Sequence, residues 1–124
     1  MNFFKLASTL SILFAARRLE WRELVNTNGP PSDFEDKTLG QALPPSGIRS
    51  MIAVLPTTGQ APVDAKIYGY VEALGRWVRI QELDDLFSTI TDEGNINRIN
   101  AAGFSAIYVD AEGAEAHIGY SILE

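Results

Sequence analysis

Residues 64–83 read DAKIYGYVEALGRWVRIQEL, two strand-like runs and the turn between them. Ile67, Gly69 and Val71 alternate with Tyr68, Tyr70 and Glu72, the period of a pleated strand. Past Leu74-Gly75, Val78 and Ile80 alternate with Arg79 and Gln81, so a glycine-bearing turn separates two β-rich runs and predicts a hairpin.

Toward the C-terminus the same pattern returns. Phe104, Ala106 and Tyr108 alternate with Ser105, Ile107 and Val109, and DAEGA at 110–114 makes a turn. Ala116, Ile118, Tyr120 and Ile122 then alternate with His117, Gly119, Ser121 and Leu123. This predicts a second hairpin. Between the two, residues 87–90 and NINRI at 95–99 read as short strands separated by Asp92-Glu93-Gly94.

Toward the N-terminus, IRSMIAVL at 48–55 is apolar on both faces, which suits a strand covered on both sides. NTNGPP at 26–31 and PPSG at 44–47 are firm breaks, and the weakly apolar residues between them predict a surface loop with at most one short strand. Short strands, Gly- and Pro-bearing turns and no alternating helices give an all-β fold, an antiparallel β-sandwich or jelly-roll. Its expected core is Ile52, Val54, Ile67, Val71, Val78, Ile80, Ile107, Val109, Ile118 and Ile122.

Residues 3–24 support competing readings. Phe3, Leu6, Leu10, Leu13 and Phe14 recur at helical spacing, while Leu10, Ile12 and Phe14 alternate with Thr9, Ser11 and Leu13 as in a strand. The chain therefore divides into an N-terminal arm, first strand or first helix at 1–24 and a single β-sandwich domain at 25–124. A small core has little room for every leading aromatic, so Phe3, Phe4, Leu6, Leu10, Phe14 and Trp21 are expected at a subunit interface. The same run imitates a secretory leader only in part. Ser8, Thr9 and Ser11 interrupt it and Arg17-Arg18 follow at once, so it is expected to be retained. It falls short of the roughly 20 apolar residues of a membrane span, and no membrane partner is expected.

Ten basic against sixteen acidic residues give a formal charge of −6, which opposes attachment to a phosphate backbone and makes nucleic acid a poor partner. The chain has no cysteine, so disulfides, thiolate metal sites and cysteine nucleophiles are excluded together. His117 is the single histidine, and no sequence pattern nominates partners for a triad or a zinc site. Asp84-Asp85 and Asp92-Glu93 sit where turns favour Asp, without EF-hand spacing. No enzyme activity, metal or cofactor is expected. Tyr68, Tyr70, Trp77 and Arg79 form either an aromatic and basic ligand surface or cross-strand core packing, and alternation alone supports both.

From Ile48 onward the order of elements resembles a β-sandwich domain recurrent in virion proteins of tailed bacteriophages. The resembling pieces are IRSMIAVLP, AKIYGYVEAL, GRWVRI, FSTITDEGNINRINAAGFSAIYVDA and AEAHIGYSIL, with the Thr-x-x-Gly of 91–94 before a short strand and Gly103-Phe104 opening the penultimate one. The similarity covers about three-fifths of the chain and is a pattern of strands and turns, so it carries over no functional residues. It implies a non-enzymatic virion protein, a capsid decoration or cement subunit located in the virion. Its implied partners are the major capsid protein or other virion proteins, usually with homo-oligomerisation. The alternative it implies is a tail-fibre, neck or baseplate component with a receptor- or glycan-binding surface.

Overall fold

The computed structural model describes residues 19–24, 29–43 and 50–123, with side chains from 21 to 121 within those ranges. Its strands are β1 (Leu19–Leu24), β2 (Gln41–Ala42), β3 (Ser50–Pro56), β4 (Lys66–Val71), β5 (Arg76–Arg79), β6 (Asn95–Ile99), β7 (Ala106–Asp110) and β8 (Ala116–Leu123). The hairpin read from residues 64–83 forms as β4 and β5, with Tyr70 opposite Trp77. Its turn closes at Gly75, whose φ of 64° is open to glycine and whose N–H donates to the Val71 carbonyl at 2.9 Å. For residues 19–24 the strand alternative is the one formed.

All pairings are antiparallel, and β4–β5, β3–β6, β2–β7 and β1–β8 nest one within the next. The chain is thus one long hairpin with its tip at the β4–β5 turn. Rolling it up sends alternate pairs to opposite sheets, sheet one in the order β1-β8-β3-β6 and sheet two in the order β2-β7-β4-β5. Bonds from β3 to β8 and from β4 to β7 join the pairs. Eight strands in this nested order are a jelly-roll, the fold class expected from the turns and alternation.

The second hairpin does not form. β7 and β8 are consecutive and alternate as predicted, but β7 pairs with β2 and β4 while β8 pairs with β1 and β3, in the other sheet. Both edges of β7 are already occupied, so the turn at 110–114 must cross the sandwich. It does so with positive φ at Glu112 and Gly113, and with the Asp110 carboxylate accepting the Glu112 N–H at 2.7 Å. Residues 87–90 also differ from expectation. In place of a strand, 3₁₀ turns at Gln81–Leu83 and Asp85–Phe87 plug Leu83 and Phe87 into the core, and Ile90 makes a single bridge to Val63.

The inner faces of the two sheets bury Ile52, Val54, Ile67, Ile107, Val109 and Ile118, as alternation predicts. Val63, Phe87, Ile90, Ile99 and Tyr120 join them. Each such aliphatic contributes about 1.5–3 kcal/mol through burial. Val71 and Ile80 lie half-buried. Val78 departs from the expected core at 39% exposure, because β5 is the outer strand of sheet two. Ile122 falls outside the described side chains.

A second apolar cluster covers the outer face of sheet two. Tyr68, Tyr70, Trp77 and Tyr108 point away from the core and are buried beneath residues 29–40, with Phe34 and Leu39 packed on them. This strap is held less by apolar side chains than by its own carbonyls. Trp77 Nε1 donates to Asp36 O at 2.9 Å, Tyr70 Oη to Glu35 O at 3.1 Å and Tyr108 Oη to Gly29 O at 2.8 Å. The Trp77 N–H donates to Phe34 O at 2.7 Å, and Arg76 lies over the Phe34 ring at 5.3 Å. Gly40 lets the strap approach, since a Cβ there would meet Trp77 Cζ2 at 2.8 Å and overlap the Ile107 carbonyl. Lys37 Nζ donates to Glu72 Oε1 at 2.5 Å across the strap's margin, and this contact holds the Glu72 carboxyl below its ordinary pKa.

Trp77 is 1% exposed. Trp77→Ala is therefore expected to destabilise the fold by about 3–5 kcal/mol, and Gly40→Ala by about 1–3 kcal/mol through overpacking, both read from urea midpoints at unchanged m-value. Because the Glu72 pKa is depressed in the fold, the Lys37 contact favours the folded state above the ordinary carboxylate pKa and loses that effect as pH falls through the lowered value. A carboxyl NMR titration should find the Glu72 midpoint below its ordinary value, and Lys37→Ala should raise it.

Candidate functional site

Register decides what the outer face of sheet one presents. One row across the four strands is Trp21–Ser121–Met51–Arg98, and the next is Glu23–Gly119–Ala53–Ile96. His117 stands opposite Leu55 in the row after that. Gly119 and Ala53, the smallest residues on the face, thus lie side by side at its middle, flanked by larger side chains on either side. The result is an open trough of about 460 Å³. Its floor is Ala53 and Gly119, its walls include Trp21, Leu55 and Ile96, and Glu23, Glu93 and His117 line its margins.

The trough is apolar where a solvated sheet face would be polar. Trp21 is 47% exposed, Leu55 44% and Ile96 55%, whereas inward residues of the same sheet, Ile52, Val54 and Ile118, are buried. A Cβ on Gly119 would sit 3.5 Å from Trp21 Cε3, so the indole leans over the glycine and shapes one wall. His117 Nδ1 lies 4.0 Å from Glu23 Oε1, and both side chains are exposed. A surface pair of this kind is worth little to stability, and it marks the acidic side of the rim. Three large apolar side chains converging on one groove form the kind of patch that binds another macromolecule.

The residues expected at functional surfaces are placed as follows. Trp21 lies in the trough. Phe3, Phe4, Leu6, Leu10 and Phe14 lie outside the described residues. Tyr68, Tyr70 and Trp77 do occupy one outward face as alternation requires, but that face is beneath the strap, and of the expected ligand surface only Arg79 is exposed, where its Nε meets Asp84 Oδ2 at 3.5 Å. Leu55, Ile96, Ala53 and Gly119 are trough residues that sequence reading did not single out. The available signal was the two-sided apolar character of residues 48–55, whose outer positions Met51, Ala53 and Leu55 face the trough side of the sheet.

Among the described residues no group of three or more His, Cys, Asp or Glu side chains could hold a metal ion, and no helix is long and apolar enough to cross a membrane. No protein-family model, no curated protein and no solved structure matches the chain.

The chain has two tryptophans, one on each outer face. At concentrations low enough to keep chains apart, acrylamide should quench the emission of Trp21 in a Trp77→Phe variant several-fold more efficiently than that of Trp77 in a Trp21→Phe variant. Equal quenching would mean that the strap or the trough differs in solution.

Proposed function

We propose that the chain is a non-enzymatic structural subunit of a virion, a capsid decoration or cement protein, which binds neighbouring capsid or accessory subunits through the outer face of sheet one. The observation that carries this reading is the trough itself, an exposed apolar surface built from the four strands of sheet one, which are otherwise ordinary sandwich strands. The virion assignment rests on the resemblance of residues 48–123 to phage β-sandwich domains. The nested strand order agrees with it, because viral capsid domains commonly use the jelly-roll, as lectins and cupins also do. Binding of this kind needs no chemistry at the surface. Fully burying a Leu-sized side chain is worth about 1.5–3 kcal/mol, and a few such residues at the centre of a patch dominate an interface.

The receptor- or glycan-binding alternative drew on Tyr68, Tyr70 and Trp77. With Trp77 buried and the Tyr70, Trp77 and Tyr108 donors engaged by strap carbonyls, these rings offer no stacking platform, and no observation favours that reading.

Quantitative mass spectrometry of purified particles should find this chain at a copy number near that of the shell subunit, and its absence from particles would overturn the proposal. On the same particles, Leu55→Asp or Ile96→Asp should weaken attachment at least tenfold, because each places a carboxylate in an apolar contact. Both positions are exposed in the isolated subunit, so the unfolding free energy from urea titration should change by less than about 0.5 kcal/mol.

A further inference from the structure

We propose that the trough on the outer face of sheet one receives residues 3–14 of a second copy of this chain, so that neighbouring subunits are joined by exchange of their N-terminal segments. The inference rests on the assembly reading above and names the occupant of the same surface.

The first ground is complementarity. The trough has an apolar floor and walls, and Glu23 and Glu93 on its margins. Residues 1–18, MNFFKLASTLSILFAARR, carry Phe3, Phe4, Leu6, Leu10, Ile12 and Phe14 together with three of the chain's ten basic residues and none of its sixteen acidic ones. The segment is therefore apolar and cationic, and it meets a groove that is apolar and carries the carboxylates of Glu23 and Glu93, with Arg22 and His117 also in its lining. The rest of the chain is strongly acidic, so such a segment is drawn toward it rather than repelled.

The second ground is reach and direction. Eighteen residues precede β1, and in extended form they span about 60 Å, several times the width of a four-stranded sheet. They join the fold at Leu19, on the same strand that supplies Trp21 to the trough wall. To lie in its own trough the chain would have to reverse just before β1. No Gly, Pro, Asn, Asp or Ser occurs from residue 12 to residue 24, so the residues that favour tight reversals are missing where the chain enters β1. A neighbouring copy requires no reversal. The third ground is β3, whose sequence is apolar on both faces: its inward side chains Ile52 and Val54 are buried, while on the outer face Met51 and Ala53 are half-buried and Leu55 is exposed at the trough wall.

The absence of cysteine makes the test direct. Full-length chains carrying Leu6→Cys, Leu10→Cys or Phe14→Cys are mixed with full-length chains carrying Leu55→Cys or Ile96→Cys, at concentrations where light scattering shows self-association, and then oxidised. Covalent heterodimers should form for at least one segment position, with a yield at least tenfold above that obtained with Leu74→Cys, an exposed position outside the trough. Cross-links found only within chains that bear both substitutions, with none between singly substituted chains, would overturn the exchange in favour of a segment seated in its own trough. Self-association without a cross-link of either kind would overturn the occupant and leave the assembly reading standing. A chain that remains monomeric and uncrosslinked at every concentration would overturn the exchange as well, and particle copy number would then decide the assembly reading separately.

Discussion

Two sheets have four faces, and a strand period of two sends every other side chain to each of them. The inner faces of this jelly-roll cover one another, with Ile52, Val54 and Ile118 from sheet one against Ile67, Ile107 and Val109 from sheet two. That mutual burial is the constraint on which the rest depends, since it fixes the register of every strand and so determines what the two outer faces must show. On sheet two the outer residues are aromatic and a strap covers them. On sheet one the corresponding positions form a trough.

The two outer faces solve the same problem by different means. The strap at 29–40 brings few apolar side chains, yet it buries Trp77 almost completely because its carbonyls accept the polar hydrogens of Trp77, Tyr70 and Tyr108. Aromatic residues with a donor at one end suit this role, as the ring is shielded while the donor remains bonded. On the sheet-one face the apolar side chains of Trp21, Leu55 and Ile96 stand exposed around Ala53 and Gly119.

How much of this could be read from the sequence depended on the range over which the information lay. The β4–β5 hairpin was legible because its strands, turn and partner all fall within twenty residues. The pairing of β7 and β8 was not, because two alternating strands joined by DAEGA look the same whether they pair or cross the sandwich, and the difference lies in β2 and β4 already occupying β7. Alternation correctly put Tyr68 and Tyr70 on one face, but the strap that covers them is a stretch whose composition reads as loop. The trough was the least visible feature. Ala53 and Gly119 become neighbours only through the β3–β8 register, which joins distant parts of the chain, and neither residue is unusual by itself.

The pairing of Leu19 with Leu123 has a practical corollary for anyone modifying this molecule. Residues 19 and 123, the described ends of β1 and β8, thus lie side by side on adjacent strands of sheet one. A tag or fluorescent fusion after β8 would therefore be attached beside the start of β1. The turn between β4 and β5, in the other sheet, with Leu74 exposed and open space around Gly75, is the better place to insert added sequence.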